Sequence, residues 1–316
     1  MLLLIQYTLV FASVLTLVAL GGCFSERSGI INIGLEGIMV MGALGGVLVL
    51  TFIPPTTPGI VIFFASVLAA IALGMLYSLL LAVASINFKA DQTLVGTAMN
   101  MLGLALATVI VKALNLARTA GLDSVDNSAR LTFTENRHVL IMKEGTEFSW
   151  FMVLTLVVLI AAYILLYKTR FGLRLMSCGE HPQAAASVGI SVTKLRYAGV
   201  LLSGALGGIG GIVYITAGVS QANFEVGVAG FGFLALAVMI FGQWKPHRIA
   251  LAALLFGAFR ALSNVYIGFD FLVALNIPKP IYNMLPYIIS LIVLAFTSKK
   301  SLAPKAEGIP YDKGSR

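Results

Sequence analysis

The chain has 316 residues, of which 59% are hydrophobic and only 11% are charged, and its mean hydropathy is +0.97. Because a soluble domain usually carries about 25% charged residues, this composition excludes a cytosolic enzyme, a disordered protein and a disulfide-stabilised scaffold. The two cysteines are too few and too far apart for a CxxC site, and the three histidines form no HExxH pattern. The sequence therefore indicates an integral membrane protein.

Nine apolar stretches predict the segments that cross or enter the membrane. A helical span needs about 20 mostly apolar residues, and a helix satisfies its own backbone hydrogen bonds in lipid. In chain order the stretches cover residues 2–21, 30–53, 60–86, 93–111, 149–167, 197–217, 227–242, 249–268 and 281–297. We therefore predict an all-α, polytopic membrane protein with one transmembrane domain over residues 1–316. It has about 8–10 transmembrane or re-entrant helices, and the glycine-rich stretch 30–53 and residues 269–280 are the candidates for re-entrant elements.

Basic residues predict the orientation, because lysine and arginine accumulate in cytoplasmic loops. Residues 168–196 contain five basic residues against one acidic residue, and the tail 298–316 contains five against two. The QWKPHR turn adds two more basic residues, whereas residues 112–148 balance five basic with five acidic residues. If the nine stretches alternate, the three basic regions fall on one side of the membrane.

This alternation predicts a multi-pass membrane protein with an external N-terminus. Residues 112–148 then form an external loop, residues 168–196 a cytoplasmic loop and residues 298–316 a cytoplasmic tail. The net charge of +8 follows from this topology and from attraction to anionic membrane lipids, so it does not indicate nucleic-acid binding.

Polar side chains inside the apolar stretches are the candidates for function. Ionisable groups in a bilayer usually face a bundle interior or an aqueous cavity, and Glu36 follows Asn32 by one helical turn. Two interpretations stay open: the pair lines a translocation path, or it caps backbone donors at a broken helix start. Asn100 and Asn264 are further path candidates, although a single amide more often joins two helices. Arg260 lies in mid-span, with Glu36 as a candidate partner.

Glycines recur at four-residue spacing in the segment SGALGGIGG. The two pairs are Gly204 with Gly208 and Gly207 with Gly211. Small residues at this spacing let two helices approach closely. The pattern predicts tight packing, either within the chain or at a subunit interface, and it indicates no chemistry.

The cytoplasmic loop 168–196 predicts a short helix between two spans. Pro182 suits the first turn of a helix, residues 183–188 are rich in alanine, and Gly189 is a natural stop. Flanking basic residues place this helix on the cytoplasmic side. It is either a docking element for a soluble partner or a helix on the membrane surface.

Two missing patterns limit how the protein obtains energy. The sequence contains no GxxxxGK[ST] phosphate-binding loop and no long polar segment for a soluble domain. It also lacks the paired intramembrane acids that are typical of proton relays. The chain is therefore not expected to hydrolyse ATP itself, nor to work as a self-powered ion-coupled pump.

Three stretches carry a resemblance to a known family. They are GIINIGLEGIMVMGALGG, GEHPQAAASVGISVTKLRYAGVLLSGALGGIGG and FGFLALAVMIFGQWKPHRIALAALLFGAF. With them the chain resembles the permease subunits of ABC importers in the branched-chain amino acid/ribose/nucleoside superfamily, and most closely the nucleoside branch. The family's Glu-Asn-Pro appears here as Glu180-His181-Pro182, which leaves open any role of the asparagine.

The resemblance implies the partners and the mechanism. Such permeases pair with an identical or related subunit, receive substrate from an extracytoplasmic binding lipoprotein and are powered by separate ATPase subunits that bind ATP and magnesium. It further implies that the cytoplasmic loop couples the ATPases to the path, and that the external loop 112–148 helps to receive the lipoprotein. The expected coupling residues are Gly179, Glu180, His181, Pro182, Gln183, Ala184, Ala185 and Gly189.

The resemblance also implies the substrate class, with alternatives. Nucleosides, in particular purine nucleosides, are uncharged and suit a path lined by amides and aromatic rings. A ribose-like sugar or a branched-chain amino acid is the alternative within the same class of importer. A secondary transporter or channel is the alternative outside it, and a membrane-embedded enzyme lacks any metal or nucleophile pattern.

Overall fold

The computed structural model describes residues 1–121, 125–142, 146–217, 219–269, 278, 281–282, 284–289, 291 and 302–312. Its α-helices are α1 (Leu2–Arg27), α2 (Leu35–Phe52), α3 (Gly59–Ala82), α4 (Gln92–Thr119), α5 (Trp150–Lys168), α6 (Arg170–Glu180), α7 (Pro182–Ser187), α8 (Val192–Ile215), α9 (Phe231–Phe241) and α10 (Pro246–Val265). One short sheet pairs β1 (Arg130–Thr132) with β2 (Gln221–Asn223) in antiparallel register. The prediction of an all-α polytopic protein is confirmed.

Seven of the described helices are long and apolar enough to cross a membrane: α1, α2, α3, α4, α5, α8 and α10. Helix α9 occupies the predicted stretch 227–242, but with 11 residues it is about 16 Å long. It is therefore too short to span a hydrocarbon core of about 30 Å. Most of the stretch 281–297, and of residues 269–280, lies outside the described residues.

Two loop boundaries predicted from the sequence are wrong. Helix α4 does not end near residue 111 but continues to Thr119, so the external loop begins later than residue 112. The last turns of α4 are held by the external segment, because the Asn115 amide donates to the carbonyls of Ser128 and Arg130. The region 168–196 is not a loop with one helix but contains both α6 and α7, followed by the start of α8.

Helix α1 forms the centre of the bundle. Its residues from Val10 to Glu26 are all buried, and it packs against α8 and α10 and, less extensively, against α9 and α5. Helices α3, α4 and α5 expose large apolar side chains along their outer faces, including Leu68, Leu102 and Leu156. A core helix that is apolar on all sides and outer helices with exposed apolar faces are what a lipid environment requires.

Helix α8 is wedged between α2 and α3 at the glycine pairs. A Cβ at Gly204 or Gly208 would overlap Ser78 or the Ala70 carbonyl of α3, and a Cβ at Gly207 or Gly211 would crowd Ile38 or overlap the Met39 carbonyl of α2. The structure therefore places all four glycines at close helix contacts within the chain.

The basic regions meet at one end of the bundle. The Arg27 guanidinium at the end of α1 donates to the Trp244 carbonyl and lies 4.0 Å from the Glu180 carboxylate of α6. In the tail, the Ala306 N–H donates to the Gly179 carbonyl at 2.8 Å. The β1–β2 sheet and the start of α1 lie at the other end. This arrangement agrees with the orientation that the basic residues predict.

We predict that Gly208→Ala destabilises the protein, because its methyl group would overlap the Ala70 carbonyl. The free energy of unfolding should fall by about 1–3 kcal/mol, the usual cost of overpacking. Gly59→Ala is the matched control, since a Cβ there meets nothing closer than 3.4 Å. Thermal unfolding in detergent measures both variants, and a Gly208→Ala protein that melts like the wild type would contradict this packing.

Candidate functional site

The chain is not helical between α1 and α2, at residues 28–34, which we call the break. Gly29, with a φ of +96°, turns the chain after α1. The Ser25 and Ser28 hydroxyls donate to the carbonyls of Ile30 and Ser25. Helix α2 then starts at Leu35 with its first backbone N–H groups open. The predicted segment 30–53 is therefore a non-helical approach followed by a helix.

Amide side chains satisfy the backbone of the break. The Ile31 N–H donates to the Gln92 side-chain oxygen at 2.7 Å. The Asn100 amide donates to the Ile33 carbonyl and its oxygen accepts the Gly37 N–H, both at 2.9 Å. These hydrogen bonds replace the helical ones that the break removes, which lipid cannot supply.

Glu36 joins the break to the short helix α9. Its two carboxylate oxygens accept the backbone N–H groups of Gly230 and Gly232, each at 2.7 Å. Gly230 has a φ of +80°, and a Cβ at Gly232 would lie 2.5 Å from the Glu36 nitrogen, so this approach requires glycine. A carboxylate at the N-terminus of α9 also faces the positive end of the helix dipole. Glu36 thus caps a helix other than its own.

The junction lies near the middle of the membrane. Helix α9 ends at Phe241, next to the cytoplasmic turn at Trp244, whose indole N–H donates to the buried Glu26 carboxylate. Because α9 is about 16 Å long, its N-terminus lies about halfway through a hydrocarbon core of about 30 Å when the helix runs along the membrane normal. Glu36 therefore connects the starts of α2 and α9 at mid-depth.

An aromatic and cationic cluster surrounds the start of α9. The Tyr214 and Phe231 ring centroids are 4.4 Å apart. The Arg260 guanidinium lies 5.5 Å from the Phe231 ring centroid and 5.9 Å from that of Phe11. The Tyr287 hydroxyl donates to the Ala229 carbonyl at 3.3 Å. The Tyr214, Arg260 and Tyr287 side chains are partly exposed, whereas Phe231 is buried.

Sequence reasoning singled out Arg260 in this cluster but missed its aromatic partners. The sequence does show aromatic residues in several apolar stretches. However, the spacing of these residues does not distinguish a binding cluster from ordinary helix packing. Flat heterocycles bind well to exposed aromatic ring faces and to guanidinium planes.

The four path residues predicted from the sequence divide into two groups. The structure brings Asn32, Glu36 and Asn100 together at the break. The Asn32 side chain is fully buried and donates to the Ser203 hydroxyl at 2.8 Å. Asn264 is exposed on α10, one turn after Arg260, and does not join the other three.

Helix α7 lies at the end of the bundle where the basic regions meet, and we call it the coupling helix after the role that the sequence predicts. It begins with Pro182 at its first position, and Gly189, with a φ of +83°, lies just beyond its end. Ala185 faces inward and packs on Cys178 and Val192. Among the other expected coupling residues, Gly179 and Pro182 are buried and Glu180 is half-buried. The exposed ones are His181, Gln183, Ala184 and Gly189.

No metal centre is found in the part of the chain that the structure describes, where no three His, Cys, Asp or Glu side chains are grouped to hold an ion. The features that remain for function are the mid-membrane junction and the exposed coupling helix.

Comparison with known proteins identifies the family. The model of the permease component of branched-chain amino acid transport systems matches residues 4–294. The chain belongs to this family. It is therefore a transport subunit and not an enzyme, and its apolar helices make it a multi-pass protein of the bacterial cytoplasmic membrane.

The relatives refine this assignment. NupQ of Bacillus subtilis, a guanosine ABC transporter permease, is 41% identical over 98% of this chain and 96% of its own length. NupC of Lactococcus lactis subsp. cremoris, a nucleoside ABC transporter permease, is 40% identical over 96% and 95%. TsgB13 of Haloferax volcanii, a glucose ABC transporter permease, is 24% identical over 96% and 79%. The resemblance to ABC importer permeases, and to their nucleoside branch, is confirmed.

We predict that Glu36→Gln weakens the junction, because one carboxylate oxygen is replaced by an amide nitrogen that cannot accept an N–H. The free energy of unfolding should fall by about 1.5–3 kcal/mol, the size of a hydrogen bond to a charged group. Glu135→Gln, at an exposed external glutamate, is the matched control. Chemical unfolding checks the stability, and uptake per folded molecule separates the two interpretations of Glu36. Unchanged stability with poor uptake would contradict the capping role.

Proposed function

We propose that this permease forms the translocation path for nucleosides, in particular purine nucleosides, in an ATP-binding cassette importer. The observation that carries the proposal is the near full-length identity of 41% and 40% to permeases for guanosine and for nucleosides. The chemistry of the junction supports it, because a nucleoside combines a flat base with an uncharged sugar rich in donors and acceptors.

We assign the base-binding part of the path to the cluster at the start of α9. Tyr214 and Tyr287 offer ring faces and hydroxyl groups, and the Arg260 guanidinium offers a flat cation beside the buried Phe231 ring. A heterocycle can stack on such rings and donate to or accept from the hydroxyl groups.

The residues of the break have a supporting role in this proposal. The Asn32 and Asn100 amides already bond to Ser203 and to the backbone, so they hold the shape of the path. Glu36 positions the start of α9, and the exposed Asn264 stays a candidate contact at the edge of the path.

Energy enters through the coupling helix in this mechanism. The exposed side chains of His181, Gln183 and Ala184 suit a groove on an ATPase subunit, which binds and hydrolyses ATP with magnesium. Closure of two ATPases would move the helix and switch access to the path between the two sides of the membrane. A second permease subunit completes the path, and a binding lipoprotein delivers substrate to the external segment around β1.

A sugar is the second candidate substrate, because TsgB13, which is named for glucose, aligns with 96% of this chain. Ribose is contained in every ribonucleoside, so a path for one shares chemistry with a path for the other. The base is what distinguishes them.

A competition assay separates these substrates. We predict that unlabelled adenosine or guanosine suppresses uptake of labelled guanosine by cells that depend on this importer, and that ribose and leucine do not. The physical reason is that only a base can stack on the aromatic cluster. Competition by ribose alone would support the sugar alternative and contradict the nucleoside proposal.

A charge on the coupling helix should uncouple the importer. We predict that Ala184→Asp abolishes ATP-dependent uptake with normal expression and melting temperature, because Ala184 is exposed and an acid there alters only the docking surface. Ala185→Asp should instead reduce stability, since Ala185 is 4% exposed and an unpaired charge would be buried. Ala120→Asp, at an exposed alanine on the external side, is the control. Normal uptake by Ala184→Asp would contradict docking at this surface.

A further inference from the structure

The cytoplasmic tail returns to the bundle and crosses its inner end. The Ala306 N–H donates to the Gly179 carbonyl at the end of α6, at 2.8 Å. The Gly308 N–H donates to the Gly29 carbonyl in the break, at 3.2 Å. Two successive hydrogen bonds therefore attach one short segment to the base of the coupling helix and to the approach to the mid-membrane junction.

A buried arginine adds a third attachment. Arg196, in the first turns of α8, is 1% exposed, and its guanidinium donates to the Ile309 carbonyl at 3.1 Å. The same guanidinium lies beside Gly29, where a Cβ would come within 2.8 Å of it. Because burying a charge costs free energy unless it is hydrogen-bonded, the tail helps to satisfy Arg196 as well as contacting it.

Two carboxyl groups join the tail to α1. The Glu307 side chain lies close to the buried Glu26 side chain. The Trp244 indole N–H donates to Glu26. Burial raises the pKa of the Glu307 carboxyl group.

The end of the segment packs on the coupling helix itself. Tyr311 contacts the small apolar cluster of Cys178, Ala185 and Val192. These residues belong to α6, the coupling helix and α8, so Tyr311 covers the place where the three helices meet. The ion pair of Lys89 with Asp312, at 3.2 Å between exposed side chains, contributes little by comparison.

We propose that residues 304–311 form a brace that makes the coupling helix and the break one mechanical unit. The proposal rests on the ATPase-coupled function above. Apart from the brace, the end of α6 meets the break through the Glu180–Arg27 ion pair and the close approach of Gly179 to Arg27 and Gly29. Helix α8, which packs on the coupling helix, also lies against Ser28 at Gly199. With the brace, a displacement of the coupling helix pulls on Gly29 directly. Gly29 lies three residues before Asn32 and seven before Glu36, so the displacement reaches the mid-membrane junction.

Ala306→Pro tests the brace with a matched control. Proline removes the N–H that donates to Gly179 and is disfavoured at the third position of the turn from Pro304 to Glu307. Lys305→Pro is the control, because Lys305 is exposed and holds the second position of that turn, where proline is favoured. Both variants are placed in proteoliposomes as the whole importer with its ATPase subunits and binding lipoprotein.

Release of the brace has a built-in reporter. The Cys178 thiol is buried and its pKa is raised by burial, so it should react slowly with a maleimide until Tyr311 leaves. Mass spectrometry of the labelled peptide identifies the site, and Cys178→Ser confirms the assignment.

For Ala306→Pro we expect faster labelling of Cys178, normal assembly and continued ATP hydrolysis. Guanosine uptake per ATP hydrolysed should fall roughly tenfold, within the usual range of coupling between sites. Lys305→Pro should match the wild type in every readout.

Truncation after residue 301 removes the whole brace. It is the second variant to test if Ala306→Pro does not speed the labelling of Cys178 or does not assemble with the ATPase subunits. Uptake per ATP that stays normal in a variant with exposed Cys178 would overturn the brace. Loss of assembly in both variants would also overturn it, since the segment would then serve folding. Uptake by the wild type without ATPases would instead refute the proposed function, so the two failures can be told apart.

Discussion

Two helices of this protein begin inside the membrane, where lipid offers nothing to the backbone N–H groups that a helix start leaves open. Helix α2 begins after a non-helical segment and α9 begins at mid-depth. The Glu36 carboxylate meets this constraint for α9 by accepting two N–H groups, while it sits in the first turn of α2. One side chain therefore ties two broken helices together. Helix breaks at the midplane are also a recurring feature of transporter substrate sites.

The same constraint explains why the amides near the junction are poor candidates for substrate contacts. The Gln92 oxygen and both polar groups of the Asn100 amide bond to the backbone of residues 31–37, and the Asn32 amide nitrogen donates to Ser203. The Gln92 nitrogen and the Asn32 oxygen have no such partner, but both side chains are buried. The proposed path instead binds a solute with the rings and the guanidinium at the start of α9, whose side chains also contact one another. The proposed path therefore has two sets of residues: the amides that hold its shape and the rings that contact the substrate.

Much of this organisation follows from the sequence. Hydropathy predicts the spans, the basic residues predict which end is cytoplasmic, and Pro182 with Gly189 predicts the coupling helix and its end. Glycine spacing in α8 anticipates close packing, although it does not indicate that α2 and α3 are the partners.

The contacts that define the junction could not be predicted in the same way. Glu36 and Gly230 are 194 residues apart, and no local pattern links a glutamate in one apolar stretch to the start of another. Hydropathy underestimates the length of α4, because the helix continues beyond its apolar part. Its last turns are stabilised by hydrogen bonds from Asn115 to the carbonyls of Ser128 and Arg130, which local hydropathy does not reveal. The sequence predicts a span over residues 227–242 because that stretch is as apolar as a span. Its helical part has only 11 residues, however, which is too short to cross the membrane.

In the proposed mechanism, the energy for transport comes from ATPases that dock on the coupling helix. The most direct measurement is accumulation of labelled guanosine in proteoliposomes, with the permease and binding lipoprotein present and the ATPase subunits either included or omitted. Accumulation against a gradient only when the ATPases and ATP are present is the result that the account predicts. Accumulation without them, driven by a proton or sodium gradient, would contradict it.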